Sequence, residues 1–262
     1  MLEVDKLQCM AEPLRLDGRV VIVTGASRGI GAAVARLVAG LGGHVVGVAR
    51  SADAVRSVLA DLPTESRVVV GDVTDPAVAE QAVAAAGELG RLWGLVNNAG
   101  IGSGYKPVTN TTLSEWDEVM RVNLLGAVSF ARAVGSALVA AGGGGRIVNV
   151  SSIAGQTGLP NIAPYNVTKA ALDALTRTMA VELGAAGICC NSVAPGTIAT
   201  EMVDALLTAN PALKERFIAK TPLGRVGVTD EAAWPIVFLL TDAAAFLTGQ
   251  TIVVDGGRLA AG

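Results

Sequence analysis

The sequence is poor in the residues from which many catalytic and metal sites are built. It holds one histidine, His44, and three cysteines, Cys9, Cys189 and Cys190, in 262 residues. A histidine-based triad and a multi-histidine metal site are therefore excluded, and the cysteines lack metal-ligand spacing, so we predict no metal. His44 lies in an apolar run and is expected to be structural. So few cysteines, two of them adjacent, indicate a reduced protein, and we predict a cytoplasmic location.

Basic clusters and long apolar runs are also scarce. The formal net charge is −3, and no basic cluster is interleaved with aromatic residues, so we expect no nucleic-acid partner. No uninterrupted apolar run approaches the roughly 18 residues of a membrane span. The first residues lack the basic-then-apolar pattern of a signal peptide. We therefore predict a short N-terminal arm, residues 1–15, and no membrane association.

What the sequence does contain is a regular alternation of short apolar runs and alanine-rich segments. This pattern predicts an α/β fold: a single doubly wound Rossmann-type domain, residues 16–262, with a mostly parallel sheet of about seven strands and helices on both faces. The predicted strands are 19–24, 43–49, 67–71, 92–96, 146–150, 188–193 and 251–254. A long helix capped by Ser114 is predicted to reach about residue 140. Residues 197–221 are predicted to form a substrate flap with one or two helices.

A glycine-rich turn, Gly25-x-x-x-Gly29-x-Gly31, connects the first predicted strand to the first helix. Such a turn lets the backbone approach a pyrophosphate, and the helix start offers free N–H groups. Glycine clusters also occur in turns without a ligand, and this spacing departs from the G-x-G-x-x-G fingerprint. The turn alone therefore supports a dinucleotide site only weakly.

The residue that follows the second strand is Arg50, at the position where a dinucleotide fold reads the adenosine ribose. An acidic residue there would repel a 2′-phosphate, whereas Arg50, with Arg28 from the glycine turn, would bind one through charge-assisted hydrogen bonds. We therefore predict NADP(H) rather than NAD(H) as cofactor. The alternative is that both arginines are solvated loop charges.

The most informative stretch runs from Ser152 to Lys169. Tyr165 and Lys169 are four residues apart, so on a helix they share one face. The lysine charge is expected to lower the pKa of the tyrosine, which is about 10 in water, towards the range of efficient acid–base catalysis. Ser152 lies near the end of an apolar strand, where open α/β sheets build their sites.

Together these motifs resemble the short-chain dehydrogenase/reductase family over nearly everything from Leu16 to Gly257. The glycine spacing, a departure from one fingerprint, matches that of this family. The resemblance rests on motifs in the expected order: Gly25-x-x-x-Gly29-x-Gly31, Asp72, Asn97-Asn98-Ala99-Gly100, Asn123, Ser152, Tyr165-x-x-x-Lys169, Pro195-Gly196 and Val254-Asp255-Gly256-Gly257.

The resemblance implies a residue-by-residue mechanism of hydride transfer between a ketone and a secondary alcohol. Tyr165 would be the acid or base, Lys169 would hold the nicotinamide ribose, Ser152 would bind the substrate oxygen, and Asn123 would anchor a water in a proton relay. Ser151 is the competing serine. The cofactor-binding residues implied are Gly25, Ser27, Arg28, Gly29, Ile30, Gly31, Arg50, Asp72, Val73, Asn98, Ala99, Gly100, Tyr165, Lys169, Pro195, Gly196 and Ile198.

The family also implies a homotetramer and a small-molecule carbonyl or alcohol substrate. The sequence leaves the identity of that substrate open. The overall pattern is most similar to 3-oxoacyl-thioester reductases. Acyl carrier protein is nevertheless not favoured as a partner, because the regions expected to dock it offer little besides Arg146 and Arg177. Coenzyme A thioesters, steroid-like ketones, sugars and small xenobiotic ketones stay open. A non-catalytic dinucleotide sensor is the remote alternative, since such proteins usually lose the tyrosine or the lysine.

Overall fold

A computed structural model describes residues 12–209 and 211–261. Residues 1–11 of the predicted N-terminal arm, with Cys9, lie outside the described residues; the rest of the arm includes a short 3₁₀ turn, Glu12–Leu14. The remainder is one α/β unit, as predicted.

Seven parallel strands form one sheet in the order β3-β2-β1-β4-β5-β6-β7. They are β1 (Arg19–Thr24), β2 (His44–Ala49), β3 (Ser66–Val70), β4 (Arg91–Asn97), β5 (Gly145–Val150), β6 (Ile188–Pro195) and β7 (Thr251–Val254). The central strands are rich in β-branched residues and buried along nearly their whole length, because helices cover both faces. Strand order reverses between β1 and β4, and a crevice opens at such a point in doubly wound sheets.

Nine α-helices are present among the described residues. They are α1 (Gly29–Gly40), α2 (Ala52–Ala60), α3 (Pro76–Leu89), α4 (Leu113–Met120), α5 (Gly126–Ala141), α6 (Ala163–Leu183), α7 (Glu201–Ala209), α8 (Pro211–Ala219) and α9 (Thr229–Leu240). One core cluster packs α1, α2 and α9 on one face of the sheet, and a second packs α3, α5 and α6 on the other. The predicted flap therefore contains two helices, α7 and α8.

The long helix departs from its prediction in two ways. Its cap is Thr112 rather than Ser114: the Thr112 hydroxyl accepts from Glu115 N, and the Glu115 carboxylate accepts from Thr112 N. The helix also has a π-helical segment, Arg121–Leu125, between α4 and α5. Helix α2, which starts at its Ser51 cap, was not predicted at all.

By length and composition, the continuous helix Leu113–Ala141 could cross a membrane. It carries Asp117, Arg121 and Arg132, and its apolar face is buried on the sheet through Phe130 and its neighbours. One face of the helix is thus packed inside the domain, while Leu125, Val128 and Val139 are exposed.

Candidate active site

A cleft lies at the carboxyl ends of the strands, across the point where strand order reverses. It is lined by nearly every residue expected to bind cofactor or substrate: Gly25, Ser27, Arg28, Gly29, Ile30, Arg50, Asp72, Val73, Asn98, Ala99, Gly100, Ser152, Tyr165, Lys169, Pro195, Gly196 and Ile198. Of the expected residues, Gly31 and Asn123 do not line it. The sheet thus brings together residues that are far apart in the sequence.

The glycine turn is built to let backbone approach a ligand closely. Gly25 has φ +67° and Gly29 has φ +56°, conformations that residues with a side chain rarely adopt. A Cβ on Gly31 would lie 2.3 Å from the Gly25 oxygen, so Gly31 serves the packing of turn against helix rather than the cleft surface. The turn leads into α1, whose first residues Gly29 and Ile30 line the cleft, and a helix start at this place fits a pyrophosphate.

Asn98 braces this turn from the neighbouring strand. Its Nδ2 donates to Thr24 O at 2.9 Å and to Gly25 O at 3.2 Å, while Thr24 Oγ1 accepts from Asn98 N and Ala99 N at 3.0 and 3.1 Å. The Asn98 side chain therefore holds the cradle in shape, a role that its place in the motif did not reveal.

Charged groups line the far end of the cleft. Arg28, in the glycine turn, and Arg50, after β2, both line the cleft, and Arg28 Nη1 forms an ion pair with Glu201 Oε2 at 2.6 Å. Asp72 accepts from Thr74 N at 2.9 Å, and this bond, together with the charges of Arg50 and Arg121, holds the pKa of the Asp72 carboxyl below its usual value. This end of the cleft can therefore bind both a phosphate and a base with an amino group.

Ser152, Tyr165 and Lys169 lie at the other end. Ser152 follows β5, and its Oγ accepts from Ala154 N at 3.2 Å and is hydrogen-bonded to the Tyr165 hydroxyl. Lys169 is buried, donates from Nζ to Val150 O at 2.8 Å, and has Nζ 5.5 Å from the centre of the Tyr165 ring. Ser151, the competing serine, has a buried Oγ without a hydrogen-bond partner among the described residues.

The electrostatics of this trio differ from the expectation. Burial raises the pKa of the Tyr165 phenol, and the hydrogen bond with Ser152 acts weakly in the other direction. Lys169 does not produce the lowering that was expected of it; its amine donates to Val150 O. Burial lowers the pKa of Lys169 to about 8, and the Asp173 carboxylate opposes that shift.

Asn123 lies in the π-helical segment and its side chain is fully engaged. Its Oδ1 accepts from Ile101 N at 2.8 Å, and its Nδ2 donates to Ile101 O at 2.9 Å. The residue therefore fixes the segment after β4 against the long helix. Such π-turns recur at functional sites, and the water relay expected of Asn123 stays a prediction.

One residue beside the site, Asp173, was not singled out from the sequence. Asp173 lies one turn beyond Lys169 on the buried face of α6, and its Oδ1 accepts from Ser192 Oγ at 2.8 Å. A Tyr-x-x-x-Lys-x-x-x-Asp spacing was present as a signal, since the three residues share a helix face. Thr200, Glu201 and Val203, which lie in the segment predicted as a substrate flap, also line the cleft.

The arrangement combines a proton donor, a second hydroxyl and a buried amine beside a cradle for a dinucleotide. Among residues 12–209 and 211–261 no group of three or more His, Cys, Asp or Glu side chains could hold a metal ion. The groups present are suited to transferring a proton to or from an oxygen while a nicotinamide is held nearby.

Known proteins match this chain over most of its length. The family model described as Enoyl-(Acyl carrier protein) reductase matches residues 25–258. The chain is similar to L-rhamnose 1-dehydrogenase (NAD(P)(+)) of Sphingomonas sp. (strain SKA58), with 40% identity over 247 residues, covering 92% of this chain and 96% of the relative. It is similar to L-xylulose reductase of Bos taurus, with 38% identity over 247 residues, covering 94% and 99%.

The fold matches solved structures equally well. A gluconate 5-dehydrogenase from Burkholderia cenocepacia J2315, in complex with NADP and tartrate, superposes with a TM-score of 0.90 at 34% identity. The match covers 96% of this chain and 99% of that one. The likeness therefore extends to the whole α/β unit and is not confined to the glycine turn.

Proposed function

The chain belongs to the short-chain dehydrogenase/reductase family, and from that premise we propose that it interconverts a ketone and a secondary alcohol with NADP(H) as preferred cofactor. Its relatives are dehydrogenases and reductases that act on CH–OH groups, and the chain is an oxidoreductase of the same kind. The observation that carries the proposal is the convergence of Ser152, Tyr165 and Lys169 in the cleft that the glycine turn also lines.

In reduction, Tyr165 donates its phenolic proton to the carbonyl oxygen, and Ser152 donates a hydrogen bond to the same oxygen. A buried phenol with a raised pKa is protonated at neutral pH, which suits the acid role. Lys169 carries an ammonium below pH 8, binds the ribose hydroxyls and returns a proton to Tyr165. When bound, the nicotinamide supplies or accepts the hydride.

For the cofactor, support comes from the two arginines at the adenosine end of the cleft and from NADP in a related structure. Arg50→Asp should weaken NADPH binding at least tenfold while changing NADH binding little, because a carboxylate there repels the 2′-phosphate and leaves a 2′-hydroxyl undisturbed. Dissociation constants measured by the fluorescence of the bound reduced cofactor check this. An unchanged preference would place the 2′-phosphate elsewhere.

Small polyhydroxylated compounds are the substrates we propose to test first, since relatives are named for rhamnose, xylulose and gluconate. The second candidate, a 3-oxoacyl-thioester substrate, is favoured by the family model's description. Docking of an acidic carrier protein is disfavoured by the structure: only 6% of the Arg146 side chain is exposed, and it packs on Trp93 and Asp242. Of these two arginines, only Arg177 is exposed.

The deciding experiment is a set of absorbance assays at 340 nm. Oxidation of L-rhamnose and gluconate with NADP⁺ and reduction of L-xylulose and acetoacetyl-coenzyme A with NADPH are compared. Turnover of a sugar substrate with none of the thioester supports the proposal. Turnover of the thioester alone would replace it with the second candidate.

A further inference from the structure

An ion pair joins two segments that line the cleft, the glycine turn and the predicted flap. Arg28 belongs to the glycine turn, and Glu201 is the first residue of α7 in the predicted flap. Arg28 Nη1 and Glu201 Oε2 are 2.6 Å apart, and about two-thirds of each side chain is exposed. Both residues line the cleft.

A second contact holds the same two segments together. Thr200 Cγ2 lies 3.4 Å from the position that a Cβ on Gly29 would occupy. Thr200 also supports the first turn of α7, since its carbonyl accepts from Asp204 N at 2.7 Å. Glu201 is therefore carried to Arg28 by a structured helix start that rests on the glycine turn.

The two arginines expected to read a 2′-phosphate are thus not equivalent. Within the described part of the chain Arg50 forms no ion pair, whereas Arg28 is already paired with a carboxylate. A 2′-phosphate carries nearly two negative charges and would have to share or take Arg28. The Glu201 carboxylate would then lie close to a like charge, and a 2′-hydroxyl would meet no such repulsion.

We propose that Glu201 is a specificity-determining residue that competes with the 2′-phosphate for Arg28 and so reduces the preference for NADP(H) over NAD(H). This inference rests on the proposed use of NADP(H). It assigns to the predicted flap a part in choosing the cofactor, in addition to bordering the substrate.

The test is Glu201→Gln, which keeps the size of the side chain and removes its charge. The dissociation constant of NADPH should fall about three- to fivefold, the size expected for losing an exposed ion pair. That of NADH should stay unchanged. The gain in NADPH affinity should be smaller in high salt, which screens exposed charges. An unchanged NADPH constant, or equal changes for both cofactors, would overturn the proposal.

Asp204→Asn is the matched control. It removes one negative charge from the same first turn of α7, but Asp204 is not the partner of Arg28. It should leave both dissociation constants unchanged, and a gain equal to that of Glu201→Gln would assign the effect to the general field of the helix start. The Glu201→Gln gain should also disappear in an Arg28→Gln background, and its full persistence there would contradict competition for Arg28.

The two sets of variants distinguish an error in the role of Glu201 from an error in the proposed cofactor. If Arg50→Asp leaves the preference for NADPH unchanged, the NADP(H) assignment itself is wrong. If Arg50→Asp removes the preference while Glu201→Gln changes nothing, only the role of Glu201 is wrong.

Discussion

At the scale of single residues, chemistry at the site depends on where protons are held. The Tyr165 phenol is stabilised in its protonated form by burial, and the Lys169 amine loses part of its basicity for the same reason. The two pKa values, which are nearly equal in water, therefore move apart, with that of Lys169 below that of Tyr165. Proton transfer from the Lys169 ammonium to a Tyr165 phenolate is downhill for that reason.

Tyr165→Phe should lower kcat at least 10²-fold, because phenylalanine has no proton to give and the substrate oxygen keeps only the Ser152 hydrogen bond. NADPH binding should change less than threefold, since the ring that borders the cofactor is retained. Turnover and cofactor fluorescence titration measure the two effects. Retained turnover would remove Tyr165 from the acid role.

At the scale of elements, α6 combines three groups that local chemistry alone would not connect. Tyr165, Lys169 and Asp173 follow one another at four-residue intervals, and the last two are buried where α6 packs on β6. Gly155 makes a similar approach possible on the other side, because a Cβ there would lie 2.6 Å from Ala170 N. Helix α6 is therefore held closely against β6 on one side and against the segment containing Gly155 on the other.

The position of Asp173 beside Lys169 on α6 predicts that Asp173→Asn changes the pH dependence of kcat/KM. Lys169 must be charged to bind the ribose hydroxyls, so kcat/KM for NADPH should fall as pH rises through about 8. Because the Asp173 carboxylate raises the pKa of Lys169, its removal should move this fall to lower pH. The pH profile of kcat/KM measures the shift.

Ser192→Ala is the control for this variant. It removes the hydrogen bond to Asp173 but keeps the carboxylate charge. Its profile should stay close to that of the unaltered protein. Equal shifts in both variants would mean that packing, and not charge, is responsible.

At the scale of the whole molecule, two apolar faces stay uncovered in the single chain. One includes Trp234 and Phe238 of α9, Phe246 and the edge strand β7, and Phe246 is fully exposed. The other includes apolar residues of the long helix and α6: Leu125, Val128, Val139, Val167 and Val181. Uncovered apolar faces and an open sheet edge are typical of subunit interfaces, and they support the proposed homotetramer.

Charged substitutions on one face should therefore split the predicted homotetramer into dimers. Trp234→Glu combined with Phe246→Glu places two unpaired charges where apolar surface would be buried, which disfavours association at that face alone. Sedimentation velocity should show a species of half the mass, with circular dichroism unchanged. A double variant that is still a tetramer, or an unsubstituted protein that is a monomer, would contradict this assignment of faces.

The fold followed from the sequence because strand and helix periodicities are local properties. β-branched runs and alanine-rich segments placed all seven strands to within about two residues. Helix α2 was not predicted, and the cap of the long helix was placed at Ser114. The misplaced cap has a local cause. Several hydroxyl residues compete for one helix start, and the capping box selects Thr112.

The sequence by itself determined the family, the sheet and the order of the motifs, because each motif is a short run whose spacing serves one local geometry. Only the tertiary structure decided how the motifs act on one another. The raised pKa of Tyr165 depends on burial by distant segments, and the bracing of the glycine turn by Asn98 depends on the pairing of β1 with β4. The Arg28–Glu201 pair joins residues 173 positions apart, a contact that only the folding of the flap over the cleft creates.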